Sequence, residues 1–374
     1  MAGPTVIGID AREIEGPRVD SQMGSAGRSR YARELVRRLP ELAPDIRFVL
    51  YGRTENADGL PGNAEWRCVR GSDLAWHVRT ARLARAECSV YFSAMSYLTP
   101  QLLSRYVQTV FDTVSFDNGL GPQARRSAWN ERITMRRAVK RATRILAISQ
   151  STASDVAELV PEVTAKVDVT PLAADERFRA DRPPSELAEI RERFGLPGTF
   201  VLSTGTLAPR KNFLRLVRAY AALPAALRET TPLVLAGRRG WDDEPIFAVI
   251  DSLPAGQIRH LDFVQDDELP TLYAAATVFC FPSLYEGFGL TILEAMQSGV
   301  PVLTSNVSSL PEVGGQAAVY VDPRDEGELS AALEQLLTDA AMREALATAG
   351  PERAKEFSWE KTAALTLDAL LRSL

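Results

Sequence analysis

Cysteine is scarce in this chain, with three among 374 residues: Cys68, Cys88 and Cys280. An odd count at wide spacing supports neither a disulfide framework nor a zinc site, and points to a reduced, cytoplasmic protein. Histidine is scarcer still. His77 and His260 are the only two; neither lies in a motif, so both are expected to be structural or exposed. No run approaches the roughly 18 apolar residues of a membrane span. The first ten residues lack a basic flank ahead of a long apolar core, so no signal peptide is expected. There is no Walker A sequence and no Asp-x-Asp pair. A metal-bridged diphosphate is therefore not expected. Gly119-Leu-Gly-Pro-Gln-Ala124 fits G-x-G-x-x-A formally. Pro122 inside it, and no acidic residue about 20 positions on at a strand end, make it a loop rather than a dinucleotide fingerprint.

What remains is ordinary globular composition, 45% hydrophobic and 24% charged, which excludes a disordered, collagenous or coiled-coil chain. The length suggests two domains. Charge divides unevenly. Residues 1–180 hold 26 basic and 21 acidic side chains, and residues 181–374 hold 17 and 27, so a +5 half precedes a −10 half. Eight of the basic residues fall between Arg125 and Arg144, against Glu131 alone. Arg136, Lys140 and Arg144 at i, i+4 and i+8 predict a basic helix face, either an ordinary solvated one or one suited to an anionic membrane surface or a lipid diphosphate.

Short β-rich apolar runs alternate with helical patterns along nearly the whole chain. Strands are expected at Val6–Asp10, Ile46–Tyr51, Ser89–Ser93, Val107–Asp112, Ile145–Ser149 and Val167–Pro171. In the second half they are expected at Phe200–Thr204, Leu233–Gly237, Ile258–Leu261, Val278–Phe281, Val302–Thr304 and Val319–Asp322. This alternation implies α/β architecture with two doubly wound parallel sheets. The boundary is expected in the charged, aperiodic stretch Asp175–Ser185, which contains Pro183-Pro184.

Two strand-to-helix loops carry chemistry. In the first, Gly205-Thr-Leu-Ala-Pro-Arg210-Lys211 leads to Asn212, a good N-cap residue, and to an apolar stripe of Phe213, Leu216, Val217 and Tyr220. Free N–H groups and the helix dipole favour an anion there. The second loop follows Val278–Phe281, broken by Pro282. It reads Ser283-Leu-Tyr-Glu286-Gly287-Phe288-Gly289-Leu290, with a helix from about Gly289 that ends at Gly299. Glu286 and Glu294 have seven residues between them. Eight positions amount to a net helical rotation of roughly 80°, so both border one site if Glu286 stands on the loop. Carboxylates are good acceptors for sugar hydroxyls. Trp241, after the strand ending at Gly237, is a candidate for lining a base pocket or for simple packing.

Glu286 through Glu294 is an E-x7-E motif, and the segment resembles glycosyltransferase family 4, retaining enzymes of GT-B fold. The resemblance extends to the 205–212 loop, to Asp266–Ala276, to Ser305–Glu312, to Ile148–Thr152 and, over Asp10–Tyr31 with its Gly27, to an N-terminal glycine loop. It implies two Rossmann-like domains facing a cleft. An acceptor domain would span 1–178 and a donor domain 179–356, with a last helix over 357–374 crossing back to the first domain. It implies that Glu286, Arg210 and Lys211 are catalytic. Glu286 would orient the donor sugar, and the two cations would neutralise the departing diphosphate. Glu294 would hold the nucleotide ribose. Gly205, Gly287, Phe288, Gly289 and Leu290 would meet phosphate or sugar oxygens, and Gly27 and Asp112 would lie on the acceptor side. No cofactor or metal is implied.

The run of motifs is most similar to bacterial polysaccharide mannosyltransferases. That implies a hexose moved from GDP-mannose to a glycan or lipid-linked acceptor, in the cytoplasm or at the inner face of the membrane, with no nucleic-acid partner. UDP-glucose and UDP-N-acetylglucosamine stand next as donors. A small soluble acceptor, or a nucleotide-sugar-binding protein without catalysis, are the alternatives. Two departures concern the acceptor side. Phe111 stands where many members carry histidine before Asp112, and Ser29 stands where a second glycine is usual.

Overall fold

The structure is a computed structural model that describes residues 5–14, 26–55, 60–94, 96–116 and 124–374. The chain divides into two compact units. One takes in the described residues up to Leu172 together with Ser358–Leu374; the other is built on Ala173–Phe357.

The first unit holds a sheet of seven strands: β1 (Val6–Asp10), β2 (Arg47–Gly52), β3 (Ala64–Cys68), β4 (Val90–Ser93), β5 (Tyr106–Val110), β6 (Arg144–Ala147) and β7 (Val167–Val169). They pair in the order β3-β2-β1-β4-β5-β6-β7, all parallel. The second unit holds β8 (Val201–Thr204), β9 (Leu233–Ala236), β10 (Ile258–Asp262), β11 (Val278–Phe281), β12 (Val302–Ser305) and β13 (Ala318–Val321), in the order β10-β9-β8-β11-β12-β13, again all parallel. Both sheets are doubly wound α/β, as the alternation of runs implies. The central strands read as continuous apolar runs because helices cover both faces, so every residue of β1, β4, β5, β8, β9, β11 and β12 is buried.

The structure corrects four local expectations. β3 was not expected, since Ala-Glu-Trp-Arg-Cys has no apolar run; it is an edge strand whose residues are all half-buried. The basic helix ends at Arg141, and Arg144 opens β6, where its guanidinium pairs with Asp168 at 2.7 Å. Arg144 therefore does not share a helix face with Arg136 and Lys140. Gly27 lies in the helix Ala26–Leu42 rather than in a loop; residues 15–25 before it, like Gly119–Gln123, lie outside the described residues. Asn212 stands at the N-cap of the helix Phe213–Ala221 but does not cap it. Its backbone is left-handed, with φ of 62°, and its buried amide instead donates to the carbonyls of Pro282 (2.9 Å) and Pro323 (2.6 Å). The apolar stripe of that helix is buried as expected. Each of its four large side chains contributes roughly 1.5–3 kcal/mol.

The helix Trp359–Leu371 belongs to the first unit. Ser358 caps it, Trp359 packs against Tyr31, Glu360 pairs with Arg38 at 2.9 Å, and Arg372 pairs with Asp168 at 3.0 Å. His77 and His260 are structural. His77 is buried with Nδ1 at 2.6 Å from Thr99 Oγ1, and His260 Nε2 lies 2.7 Å from the Gly237 carbonyl. The three cysteines are free thiols, with Cys280 in the core.

Candidate active site

In the second sheet the chain runs from β8 to its neighbour β9 on one side, and from β11 to its neighbour β12 on the other. β8 and β11 are themselves paired. The winding therefore reverses between them, and open α/β sheets bind ligands outside the carboxyl ends of the strands at such a point. The two chemical loops leave β8 and β11 there. Gly205 follows β8 at φ 126°, a conformation that side chains with a Cβ rarely adopt. It is tightly covered, since a Cβ on Gly237 after β9 would fall 2.0 Å from the Gly205 carbonyl oxygen. Pro209–Lys211 form a single 3-10 turn that presents two cations in succession.

The second loop carries Glu286 to those cations. Arg210 Nη1 lies 2.9 Å and Lys211 Nζ 2.7 Å from one carboxylate oxygen, Oε1. The hydroxyl of Ser283, fully buried, donates to the same oxygen at 2.7 Å. Lys211 also sits 4.6 Å from the centre of the Phe281 ring, so its ammonium is held from a second side. The loops are joined through their backbones as well: Leu284 N–H donates to the Arg210 carbonyl at 2.8 Å, and Arg210 Nη1 to the Tyr285 carbonyl. Burial pushes the Glu286 carboxyl up. The charges of Lys211 and Arg210, with hydrogen bonds from Lys211 and Ser283, outweigh that and bring it down to about 2. It is ionised at any working pH.

Gly289, at φ 109°, turns the chain into the helix Leu290–Gln297. Glu286 thus stands on the loop before the helix and Glu294 on its second turn. Glu294 is 6% exposed, and a carboxylate so buried is retained only with donors around it. Phe288 is buried against Phe357. Trp241 is 40% exposed, so it does not serve the core. In the first unit, Asp112 follows β5 and its carboxylate lies 3.5 Å from Arg28, the residue after Gly27. Phe111 is a packing residue, edge-on to Tyr31 with Arg28 over its ring. The structure thus brings Glu286, Arg210 and Lys211 into one cluster, with Gly205 and the 287–290 turn on the same two loops. Gly27 and Asp112 are near neighbours in the other unit. Sequence reasoning missed Ser283 and two serines of the loop after β12, Ser308 and Ser309. Ser308 accepts the Glu286 N–H at 3.0 Å, and Ser309 donates to the Glu286 carbonyl at 2.8 Å.

Residues 188–353 match the family model described as glycosyl transferases group 1. The O-antigen chain mannosyltransferase B of Escherichia coli is 38% identical over 282 residues, which is 75% of this chain and 73% of that protein. The chain belongs to the group 1 glycosyltransferases. A second relative of this glycosyltransferase, the serotype-specific mannosyltransferase WbdA of E. coli, is 36% identical over 63% of this chain, which spans only 29% of that longer protein. Solved structures agree on the fold. Sucrose-phosphate synthase from Thermosynechococcus elongatus superposes with a TM-score of 0.76 at 19% identity over 98% of both chains. HepE of Anabaena in complex with UDP and glucose gives 0.75 at 16% identity over 99% of this chain and 100% of its own. The transferase has GT-B architecture, as the resemblance implied. No helix among its described residues is long and apolar enough to cross a membrane.

Proposed function

We propose that this glycosyltransferase moves mannose from GDP-mannose to a hydroxyl of a polysaccharide or lipid-linked glycan, with retention at the anomeric carbon. The observation that carries the reading is the cluster of one half-buried carboxylate and two cations at the winding reversal of the second sheet. A nucleotide diphosphate gains charge as it leaves, and Arg210 and Lys211, already in place, neutralise it. Freed from those cations in part, Glu286 takes the hydroxyls of the sugar. Glu294 receives the ribose, and the backbone at Gly205, Gly287, Phe288, Gly289 and Leu290 meets phosphate and sugar oxygens. Gly27 and Asp112 serve the acceptor. The anomeric carbon–phosphate oxygen bond breaks and a bond to the acceptor oxygen forms on the same face. The acceptor proton passes to the departing phosphate. No metal takes part, because the two cations carry the charge. The mannosyltransferase names of the two relatives support the donor. A melting screen against nucleotide sugars tests it, since a bound donor stabilises the folded chain. GDP-mannose should raise the midpoint above UDP-glucose and UDP-N-acetylglucosamine; a selective response to a UDP-sugar would replace the assignment.

Glu294→Ala should weaken GDP binding by about 1–3 kcal/mol, the usual cost of losing charged hydrogen bonds. Calorimetry with GDP reads this directly, and affinity equal to the parent would remove Glu294 from the ribose.

A membrane-bound acceptor would draw the enzyme to an anionic leaflet. Arg136, Arg137, Lys140 and Arg141 are all exposed on the helix Ala124–Arg141, although Lys140 shares its charge with Glu162 at 2.6 Å. Near an anionic surface each contributes on the order of 1 kcal/mol. Salt-sensitive sedimentation with anionic but not neutral vesicles is expected, and replacing the four with Gln should abolish it. Sedimentation that ignores vesicle charge would favour a soluble acceptor.

A further inference from the structure

We infer that Ser308 and Ser309 are positioning residues that hold Glu286 by its own peptide group and so aim its carboxylate. The inference rests on the reading of Glu286 as the carboxylate that orients the sugar. Three hydroxyls, from the last residue of β12 and the loop after it, reach the segment after β11. Ser305 donates to the Ser283 carbonyl at 2.7 Å, Ser308 accepts the Glu286 N–H at 3.0 Å, and Ser309 donates to the Glu286 carbonyl at 2.8 Å. Both polar atoms of the Glu286 backbone are therefore tied to consecutive side chains of one neighbouring loop. The fourth hydroxyl, that of Ser283, has one proton and donates it to Oε1 of the carboxylate. Lys211 Nζ donates to that oxygen too and Arg210 stands beside it as an ion pair, so Oε1 carries two donors and a second cation. Oε2 receives none from the described residues and is the oxygen presented to a sugar hydroxyl.

Two observations mark Ser308 and Ser309 as more than loop polarity. Ser308 holds φ of 52°, one of four non-glycine residues with positive φ among those described. Glycine would sit there without steric cost, so the hydroxyl is kept against the preference of the backbone. Ser309 precedes the helix Leu310–Gly314 at its N-cap but does not cap it. Its fully buried hydroxyl is spent on Glu286 instead. The carboxylate must be placed to within a fraction of an ångström for the chemistry, and loosening a reacting geometry by about 1 Å costs on the order of a hundredfold.

Ser308→Gly is the informative variant, because it deletes the hydroxyl at a position where glycine relaxes the backbone; Ser309→Ala is its companion. Each is made in the parent chain and in Glu286→Gln, and transfer from GDP-mannose is followed with GDP affinity and melting as controls. Ser308→Gly should melt at or above the parent and bind GDP within about twofold. Its kcat should fall about tenfold with donor KM nearly unchanged. In the Glu286→Gln background the same substitution should change kcat less than about twofold, since residues that act through one group are not additive. Equal fold-losses in both backgrounds, or parent kcat in Ser308→Gly, would overturn the clamp while leaving Glu286 in its role. Parent-level turnover by Glu286→Gln alone would instead remove the reading on which the clamp stands.

Discussion

Glu286→Gln should lower kcat by about two to three orders of magnitude while GDP affinity stays within about threefold. The amide keeps the shape of the side chain and most of its hydrogen bonds. It loses the charge that faces Arg210 and Lys211 and the strong acceptor proposed to face the sugar. In the proposed site nucleotide binding rests on other groups, so the effect belongs to turnover. A second readout is stability in acid. The Glu286 carboxyl is held at about 2 against an ordinary 4.5. A carboxyl depressed on folding contributes stability that is fully present above the unfolded value and is lost as pH falls through the folded one. From about pH 5 down to pH 2 the parent should therefore lose stability more steeply than Glu286→Gln. Unfolding by denaturant at a series of pH values measures the slope, and parallel curves would contradict the ion cluster.

Lys211→Ala should lower kcat by about 10²–10³, and Arg210→Ala by less. Lys211 is the more buried of the two, at 16% side-chain exposure against 31%, and lies nearer the carboxylate. Water screens Arg210 more and replaces it more easily. Lys211→Ala should also leave a pH signature. With the ammonium gone, burial acts on Glu286 with less opposition and its carboxyl rises. The acid limb of kcat/KM should then move toward neutral pH. EDTA should leave the parent enzyme active throughout. Turnover lost to EDTA and restored by magnesium or manganese would transfer the neutralising role from these cations to a metal.

The strands were legible because strands buried on both faces are mostly apolar. Val278-Phe-Cys-Phe281 and Val6–Asp10 were placed to the residue. β3 escaped because an edge strand needs apolar side chains on neither face, and its Glu65 and Arg67 pair with each other instead. Arg144 was misplaced because charge spacing continued past the end of the helix; pattern alone does not record where hydrogen bonding stops. In the site, Glu286, Arg210 and Lys211 were visible through the motif and through the cations set ahead of a helix. Asn212 was visible as a polar residue at a helix start, but its amide went to two carbonyls that only the fold brings within reach. The serines were invisible for the same reason. A hydroxyl has no pattern of its own, and what Ser283, Ser308 and Ser309 do is decided by Glu286, which the packing of β11 beside β12 brings to them.

Retaining transfer from GDP-mannose is tested most directly by the anomeric configuration of the first product. The full chain is supplied with GDP-α-mannose and a mannoside acceptor, and the new linkage is followed by NMR from the first turnovers. An α-mannosidic bond formed without added metal is the predicted result. A β-linked product, or no transfer from GDP-mannose alongside ready transfer from a UDP-sugar, would contradict it.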